Sequence, residues 1–427
     1  MNLKKWTSKI NLGLRTKCHM AHIEALHIKN YRSLKNVNLG ATSFDAERRG
    51  MRSQQPLPKL ITIVGPNGCG KSTFMDVFEF IHDCLAFSVE QACEKPHRGS
   101  FERVRTRGQQ GHIGFEIVYR IDATPTTYLL EIDNDQSGKP VVVQESLVEN
   151  DPNEQAGAVV FQLDNRKGYV LPVQTGDEAC YAPIQVKLDD PGRLGISILG
   201  NLAERPSIVA FRKFLESWYL CYLVPDLARG LPRASAQKHL NRRGDNLANY
   251  MLFMQRQYPE RFQAVLREIT TKIPGIEKIT VKQTEDGRLL LQFNDRGYID
   301  PFYAQEVSDG TLKLFAYLLL LQDPEPPAFI GIEEPENGLH HQLLEPLAAE
   351  IKEVTQRPNG PQIVLTTHSP YLIDALQPKD VWIMEKDEHG FSSIQCAAEI
   401  PTINELHAEG LPLGSLWYSN HFGRGNP

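Results

Sequence analysis

The stretch Leu60-Ile61-Thr62-Ile63-Val64-Gly65-Pro66-Asn67-Gly68-Cys69-Gly70-Lys71-Ser72-Thr73 decides how the rest of the chain is read. Residues 60–64 form a short apolar run suited to a buried strand. The run enters a Gly-rich turn that fits GxxxxGK[ST]. In such a turn the glycines let backbone N–H groups close around phosphate oxygens, at a helix N-terminus whose dipole favours anions. Lys71 reaches the β- and γ-phosphates, and the Ser72 hydroxyl ligates Mg²⁺. Average composition gives on the order of 0.02 such matches in a chain of this length. Downstream, Phe74, Phe78, Ile81 and Leu85 recur at spacings of three and four, so an amphipathic helix follows the turn. Asn67, Gly68, Cys69, Gly70, Lys71, Ser72 and Thr73 are the candidate nucleotide contacts. Cys69 reads as a small residue facing away, since no second thiol lies near it in sequence.

Three further segments suit the same chemistry. Phe329-Ile330-Gly331-Ile332-Glu333-Glu334-Pro335-Glu336 is an apolar strand ending in carboxylates. Glu333 is expected to hold the metal, and Glu334 to orient or deprotonate the attacking water. Gln362–Thr366 reads as a strand with His368 just past it, at the sheet edge where α/β folds place ligands. Val307-Ser308-Asp309-Gly310-Thr311 precedes an apolar helix that Ser308 or Asp309 can cap. A sharper reading has Ser308 and Gly310 presented to a second molecule's nucleotide. Asp245-Asn246 reads as a cap of the helix that follows.

Composition narrows the class. The chain has 427 residues, 41% hydrophobic and 23% charged, with a formal charge of −6. That excludes a disordered or collagen-like chain and a basic nucleic-acid coat. No run approaches the ~18 apolar residues of a membrane span, and no secretory signal is legible. Seven cysteines without a CxxC pair suit a reducing cytoplasm. His340-His341 lacks a third soft ligand at metal spacing.

Together the motifs resemble the ABC-type ATPases of the SMC/RecF/OLD group, from Ile23 to about Leu376. Ile-Lys-Asn-Tyr-Arg-Ser-Leu-Lys (28–35) looks like that group's first hairpin, which implies Arg32 and Ser33 near the nucleotide. Glu306 to Lys313 looks like the signature motif, with Asp309 where transporters have Gly. Glu333-Glu334-Pro335-Glu336 is similar to its Walker B, Asn337 to His340 fall at the D-loop, and His368 at the switch histidine. The implied fold is an α/β P-loop NTPase of ABC-ATPase type with an antiparallel β lobe and a helical insertion. The implied cofactors are ATP and Mg, with Lys71, Glu334 and His368 catalytic, and Ser72 and Glu333 on the metal. The implied mechanism is a head-to-head dimer clamped by ATP. A Q-loop glutamine is not evident; Gln144 is one option.

On this reading residues 1–19 are a leader that need not be native. Residues 20–173 form the first part of the head with the phosphate loop and the β lobe. Residues 174–300 are a mainly helical insertion, 301–400 the second part of the head, and 401–427 a loop-like tail. Within the insertion, Ile208–Tyr222 and Asn246–Ile269 read as helices, and Val281 and Leu289–Phe293 as a strand pair. The roughly 230 residues between phosphate loop and signature motif hold no sustained heptads, so no coiled-coil arm is expected. Only 59 residues follow His368, without a DxD, so no Toprim nuclease is expected.

The expected role is an ATPase switch that pairs with itself and with a separately encoded effector, for example a nuclease, in bacterial anti-phage defence. The alternative is a RecF-like DNA-binding ATPase of repair or replication, with Arg98, Arg103, Arg105, Arg107, Arg242 and Arg243 as a phosphate-binding face. A transporter subunit is disfavoured, because the two-glycine signature is missing.

Overall fold

The structure, a computed structural model, describes residues 21–41, 55–121, 124–150, 157–171, 182–201 and 205–423. The leader 1–19 lies outside them. Among the described residues no helix is long and apolar enough to cross a membrane.

A six-stranded sheet carries the chemistry. Its order is Trp218–Cys221, Phe329–Glu333, Gln362–Thr367, Leu60–Val64, Val381–Lys386 and Ser392–Cys396. The first five run parallel, and the last folds back antiparallel as a hairpin. Thr367 pairs with Val64 and Thr366 with Glu333, so the three motif-bearing strands end level. Side chains alternate across the sheet. Ile61, Ile63, Phe329 and Val364 enter one core, and Leu60, Val64, Ile330, Ile332, Ile363 and Leu365 another. Helices Asp309–Leu321 and Leu344–Gln356 fill the second.

The first core lies between this sheet and an eight-stranded antiparallel sheet. That sheet starts from the hairpin His22–Tyr31 and Leu34–Leu39 and continues through Ile113–Ile121, Thr124–Asn134 and Pro140–Glu149 to Ile184–Lys187. Helix Lys71–Ala86 is trapped between the two sheets. Its Phe78 ring lies 4.6 Å from Phe329 of the central sheet, and its Phe80 ring 5.3 Å from Tyr31 of the other. The sequence periodicity marked one face of this helix. Met75, Val77, Phe80 and Cys84 are buried as well, because both sides face apolar sheets.

Three local readings are corrected. Ile208–Tyr222 is not one helix: Pro206–Glu216 is helical, and Trp218–Cys221 joins the central sheet as its edge strand. Open backbone groups on Phe329–Glu333 outweigh local helix preference there. Asn246–Ile269 breaks at Tyr258, where Pro259 starts a second helix and cannot extend the first. The segment 401–427 is not loop throughout: Pro401–Ala408 and Leu413–Tyr418 are helical, and Leu413, Leu416 and Trp417 bury one face. The strand pair expected at Val281 and Leu289–Phe293 is present as Ile276–Gln283 and Leu289–Asp295, and Phe302–Tyr303 adds a third strand.

Arg98 overturns part of the basic-face reading. Its side chain is fully buried, with Nη2 2.6 Å from Asp76 and Nη1 2.7 Å from Asp83, both on the trapped helix. Asp76 also accepts from Tyr31 Oη at 2.7 Å and pairs with Arg32 Nη1 at 3.1 Å. Burial alone would raise the Asp76 carboxyl, but Arg98, Tyr31 and Arg32 hold it below its ordinary value. Arg98→Ala leaves two buried carboxylates short of a partner, so stability is expected to fall by about 3–5 kcal/mol in denaturant unfolding. An unchanged midpoint would show that the pair contributes little.

Glu145 is a second buried carboxyl, and among the described residues no cation pairs with it. It accepts from Tyr128 Oη at 2.9 Å and from the backbone N–H groups of Gly195 and Ile196. Burial pushes its carboxyl up to about 7, against those donors. The folded chain therefore keeps a proton that the unfolded chain loses above its ordinary value of 4.5. Stability is expected to fall as pH rises from about 4.5 to 7, by roughly 3 kcal/mol in full. Glu145→Gln should flatten that slope in unfolding curves taken across the window.

Candidate nucleotide site

The phosphate loop leaves strand Leu60–Val64 and enters helix Lys71–Ala86. Gly65 and Gly70 have φ of +153° and +117°. A Cβ at Gly65 would stand 2.1 Å from the Met384 carbonyl oxygen, and one at Gly70 would stand 2.4 Å from Ser392 Oγ. The strand Val381–Lys386 and its hairpin partner thus press against the loop and exclude side chains there. Ser392 Oγ donates to the Cys69 carbonyl at 2.6 Å and lies 2.9 Å from Ser33 Oγ. Cys69 is buried, and burial pushes its thiol up.

Lys71 is buried, and desolvation depresses its ammonium. Nζ donates to the carbonyl oxygens of Gly65 at 2.9 Å and Pro66 at 3.1 Å. It also lies 3.4 Å from His368 Nδ1. An ammonium there requires Nδ1 to be the acceptor, which puts the imidazole hydrogen on Nε2. That hydrogen points at Glu334 Oε1, 2.9 Å away. Asn337 Nδ2 donates to the other Glu334 oxygen at 2.9 Å. Glu334 stands at φ +41°, a strained conformation for a non-glycine residue. Its N–H bonds the Thr366 carbonyl at 3.0 Å, so the neighbouring strand holds it in place. Glu336 Oε1 accepts from Thr367 Oγ1 at 2.9 Å and from the His368 N–H at 2.5 Å.

Burial raises the Glu333 carboxyl, and the Ser72 hydroxyl bonds to it. A half-buried acid beside a hydroxyl, at the foot of a phosphate loop, is a donor set that fits Mg²⁺. Among the described residues, the carboxylate–histidine group close enough to share an ion is Asp76, Glu79 and His97. Arg98 and Arg242 already occupy its acids. His340 and His341 stack on each other at 4.2 Å and lie outside that group.

A cavity of about 640 Å³ opens over the loop and is lined by Asn67, Gly68, Gly70, Lys71, Ser72, Thr73, Arg32 and Glu334. Arg103, Arg105, Arg107, Lys386 and Phe391 also line it. The basic cluster therefore divides. Arg98 is a buried structural ion pair, Arg242 Nη2 bonds Glu79 at 2.8 Å, and Arg103–Arg107 face the cavity. The sequence showed these arginines as a charge run but gave no sign of which way they turn. The roles of Ser392, Lys386 and Phe391 had no legible signal, because they depend on a hairpin some 320 residues beyond the loop. Gln144 lies on strand Pro140–Glu149 of the antiparallel sheet and does not line the cavity.

Ser308 and Gly310 lie outside the cavity of their own chain. Ser308 caps helix Asp309–Leu321 by accepting from Thr311 N–H at 3.2 Å, and it is exposed. Asp309 pairs with Arg229 instead. Lys313 Nζ donates to the Asn337 carbonyl at 2.7 Å. Asn246 does not cap by its side chain, which accepts from Asn241 N–H at 2.6 Å and donates to the His239 carbonyl at 2.9 Å.

A loop of this form between a central parallel strand and its helix, with acids and a histidine ending the adjacent strands, defines an ATP-binding P-loop protein of the ABC type. The chain belongs to the family described as "AAA domain, putative AbiEii toxin, Type IV TA system", whose profile matches residues 60–169 and 192–374. No curated protein matches the sequence. Among solved structures it is similar to the SMC head domain from Thermotoga maritima, at 13% identity and TM-score 0.45, over 88% of this chain and 98% of that one. It is also similar to the Smc head domain with an extended coiled coil bound to the C-terminal domain of ScpA from Pyrococcus furiosus. That match has 14% identity and TM-score 0.48, over 91% of this chain and 100% of that one.

Gly70→Ala is expected to weaken ATP binding at least tenfold and to lower the melting temperature, since Cβ meets Ser392 Oγ and φ is left-handed. Adding Ser392→Ala should recover part of the loss, because the clash goes and the backbone strain stays. Nucleotide titration and thermal melts of the three variants check this.

Proposed function

We propose that this protein is a Mg-dependent ATP-hydrolysing switch whose heads pair face to face and control a separate effector in bacterial anti-phage defence. The observation that carries the hydrolytic reading is the hydrogen-bonded chain from Lys71 through His368 to Glu334 beside the phosphate loop. Lys71 turns from its two carbonyls to the β- and γ-phosphates. Ser72 and Glu333 would hold Mg²⁺, which would supply charge neutralisation on those phosphates. Glu334 accepts a proton from water as its oxygen attacks the γ-phosphorus, and the bond to the ADP oxygen breaks. His368, donating from Nε2, orients Glu334 and lies close enough to Lys71 to register the γ-phosphate.

Exposed Ser308 at a helix N-terminus, outside its own cavity, supports a pairing in which it meets the nucleotide of a second head. The family description names a "putative AbiEii toxin" of a toxin–antitoxin system, which favours a defence role over a repair role. The RecF-like reading loses support, since Arg98 and Arg242 are engaged in ion pairs.

Glu334→Gln is expected to bind ATP normally and to hydrolyse it at least ~10²-fold more slowly. With MgATP it should run as a dimer in light scattering, and Lys71→Ala should remain a monomer without nucleotide. Near-normal turnover by Glu334→Gln overturns the assignment of the base. A trapped variant that stays monomeric overturns the pairing. Mass spectrometry of the trapped complex from its host should show a stoichiometric protein partner; DNA alone would favour the repair reading.

A further inference from the structure

We propose that Phe391 is the platform for the nucleotide's base, and so the residue that makes this site prefer a nucleoside triphosphate to a bare polyphosphate. The proposal rests on the reading of the phosphate loop as the ATP site.

The phosphate-binding groups account for only part of the cavity wall. Another part is the turn of the C-terminal hairpin, Lys386 and His389 to Phe391. This turn is locked by its own hydrogen bonds. Asp387 Oδ1 accepts from the N–H groups of His389 at 2.9 Å and Phe391 at 2.8 Å. The Asp387 N–H donates to the Phe391 carbonyl at 2.8 Å, and Gly390, at φ +82°, closes the turn. The next residue, Ser392, is pinned to the phosphate loop through Cys69 and to the first hairpin, where its N–H donates to the Ser33 carbonyl at 2.8 Å. Phe391 is thus held one residue from a contact with the loop itself.

The ring has no packing reason to be there. Phe391 belongs to neither hydrophobic core and is not among the half-buried apolar residues packed against them. The Lys35 ammonium lies over the ring, 4.6 Å from its centroid. A cation on an aromatic face holds the ring's position. Arg103 and Arg107, which also line the cavity, make no ion pair with a described residue. Phosphates on the loop, a half-buried ring on a rigid turn and unpaired guanidinium groups together suit a ligand with an anionic end and a planar heteroaromatic end. Base–aromatic stacking tolerates any base, so Phe391 sets a preference for a nucleoside over none, not for one base over another.

The test compares ATP with inorganic tripolyphosphate, each with Mg²⁺, by calorimetric titration of the full chain. In wild type, ATP should bind more tightly. Phe391→Ala should weaken ATP about tenfold, or about 1.4 kcal/mol, and leave tripolyphosphate unchanged. Phe391→Tyr should keep the wild-type affinity for both. Unchanged ATP binding in Phe391→Ala overturns the proposal. So does an equal loss for both ligands, which would mark the ring as a support of the loop. Lys71→Ala separates the levels. If it keeps both ligands, the phosphate-loop reading itself fails, whatever Phe391 does.

Discussion

Level strand ends are the constraint on which this molecule depends. Val64 pairs with Thr367 and Glu333 with Thr366, so three adjacent parallel strands close within one residue of one another. The loop, the histidine and the acids therefore emerge side by side. A slip of one residue would turn every side chain of a strand to the opposite face and carry its motif out of reach. The register is held because each strand is buried on both faces, which parallel sheets require. Helix Lys71–Ala86 supplies one cover, and in turn needs the antiparallel sheet as a second wall. The β lobe is thus part of what keeps the phosphate loop in place.

Hydrogen bonds join the elements so aligned. Lys313 reaches Asn337, Asn337 reaches Glu334, and Glu334 meets His368, which faces Lys71. These residues come from four separate elements. In this conformation each oxygen of Glu334 accepts one hydrogen bond, from Asn337 and from His368, which fixes the carboxylate plane and leaves a second lone pair on each oxygen for a water molecule. Buried and half-buried polar chains of this kind tolerate little loss, because each member satisfies its neighbour.

Much of this was legible because strong local chemistry coincided with regular alternation. Strands Leu60–Val64, Phe329–Glu333 and Gln362–Thr367, and the four long hairpin strands from Ile113 to Asp164, follow from apolar patterning. The order of the motifs along the chain located the nucleotide loop. What stayed hidden depends on distant partners. Trp218–Cys221 is a strand because a neighbouring edge was open, and Trp417 is core because the helix Pro370–Ile373 lies beside it. Arg98 and Arg103 look alike in sequence. One closes a buried ion pair and the other faces a cavity, and only the fold of Asp76 and Asp83 onto one helix separates them.

The ties between chain ends also bear on how the protein is made. Gln362 bonds the backbone of Ile23 through both ends of its amide, and Ser392 seats the phosphate loop. At ~5–20 residues per second, a ribosome needs on the order of tens of seconds between completing the loop and delivering Ser392. Until Gln362–Thr367 is made, strand Leu60–Val64 has no parallel neighbour to pair with, and its edges stand open. Nucleotide competence therefore arrives late in synthesis, almost together with the complete sheet. A nascent chain that stalls before the hairpin would carry the whole GxxxxGKS motif and still lack a formed site.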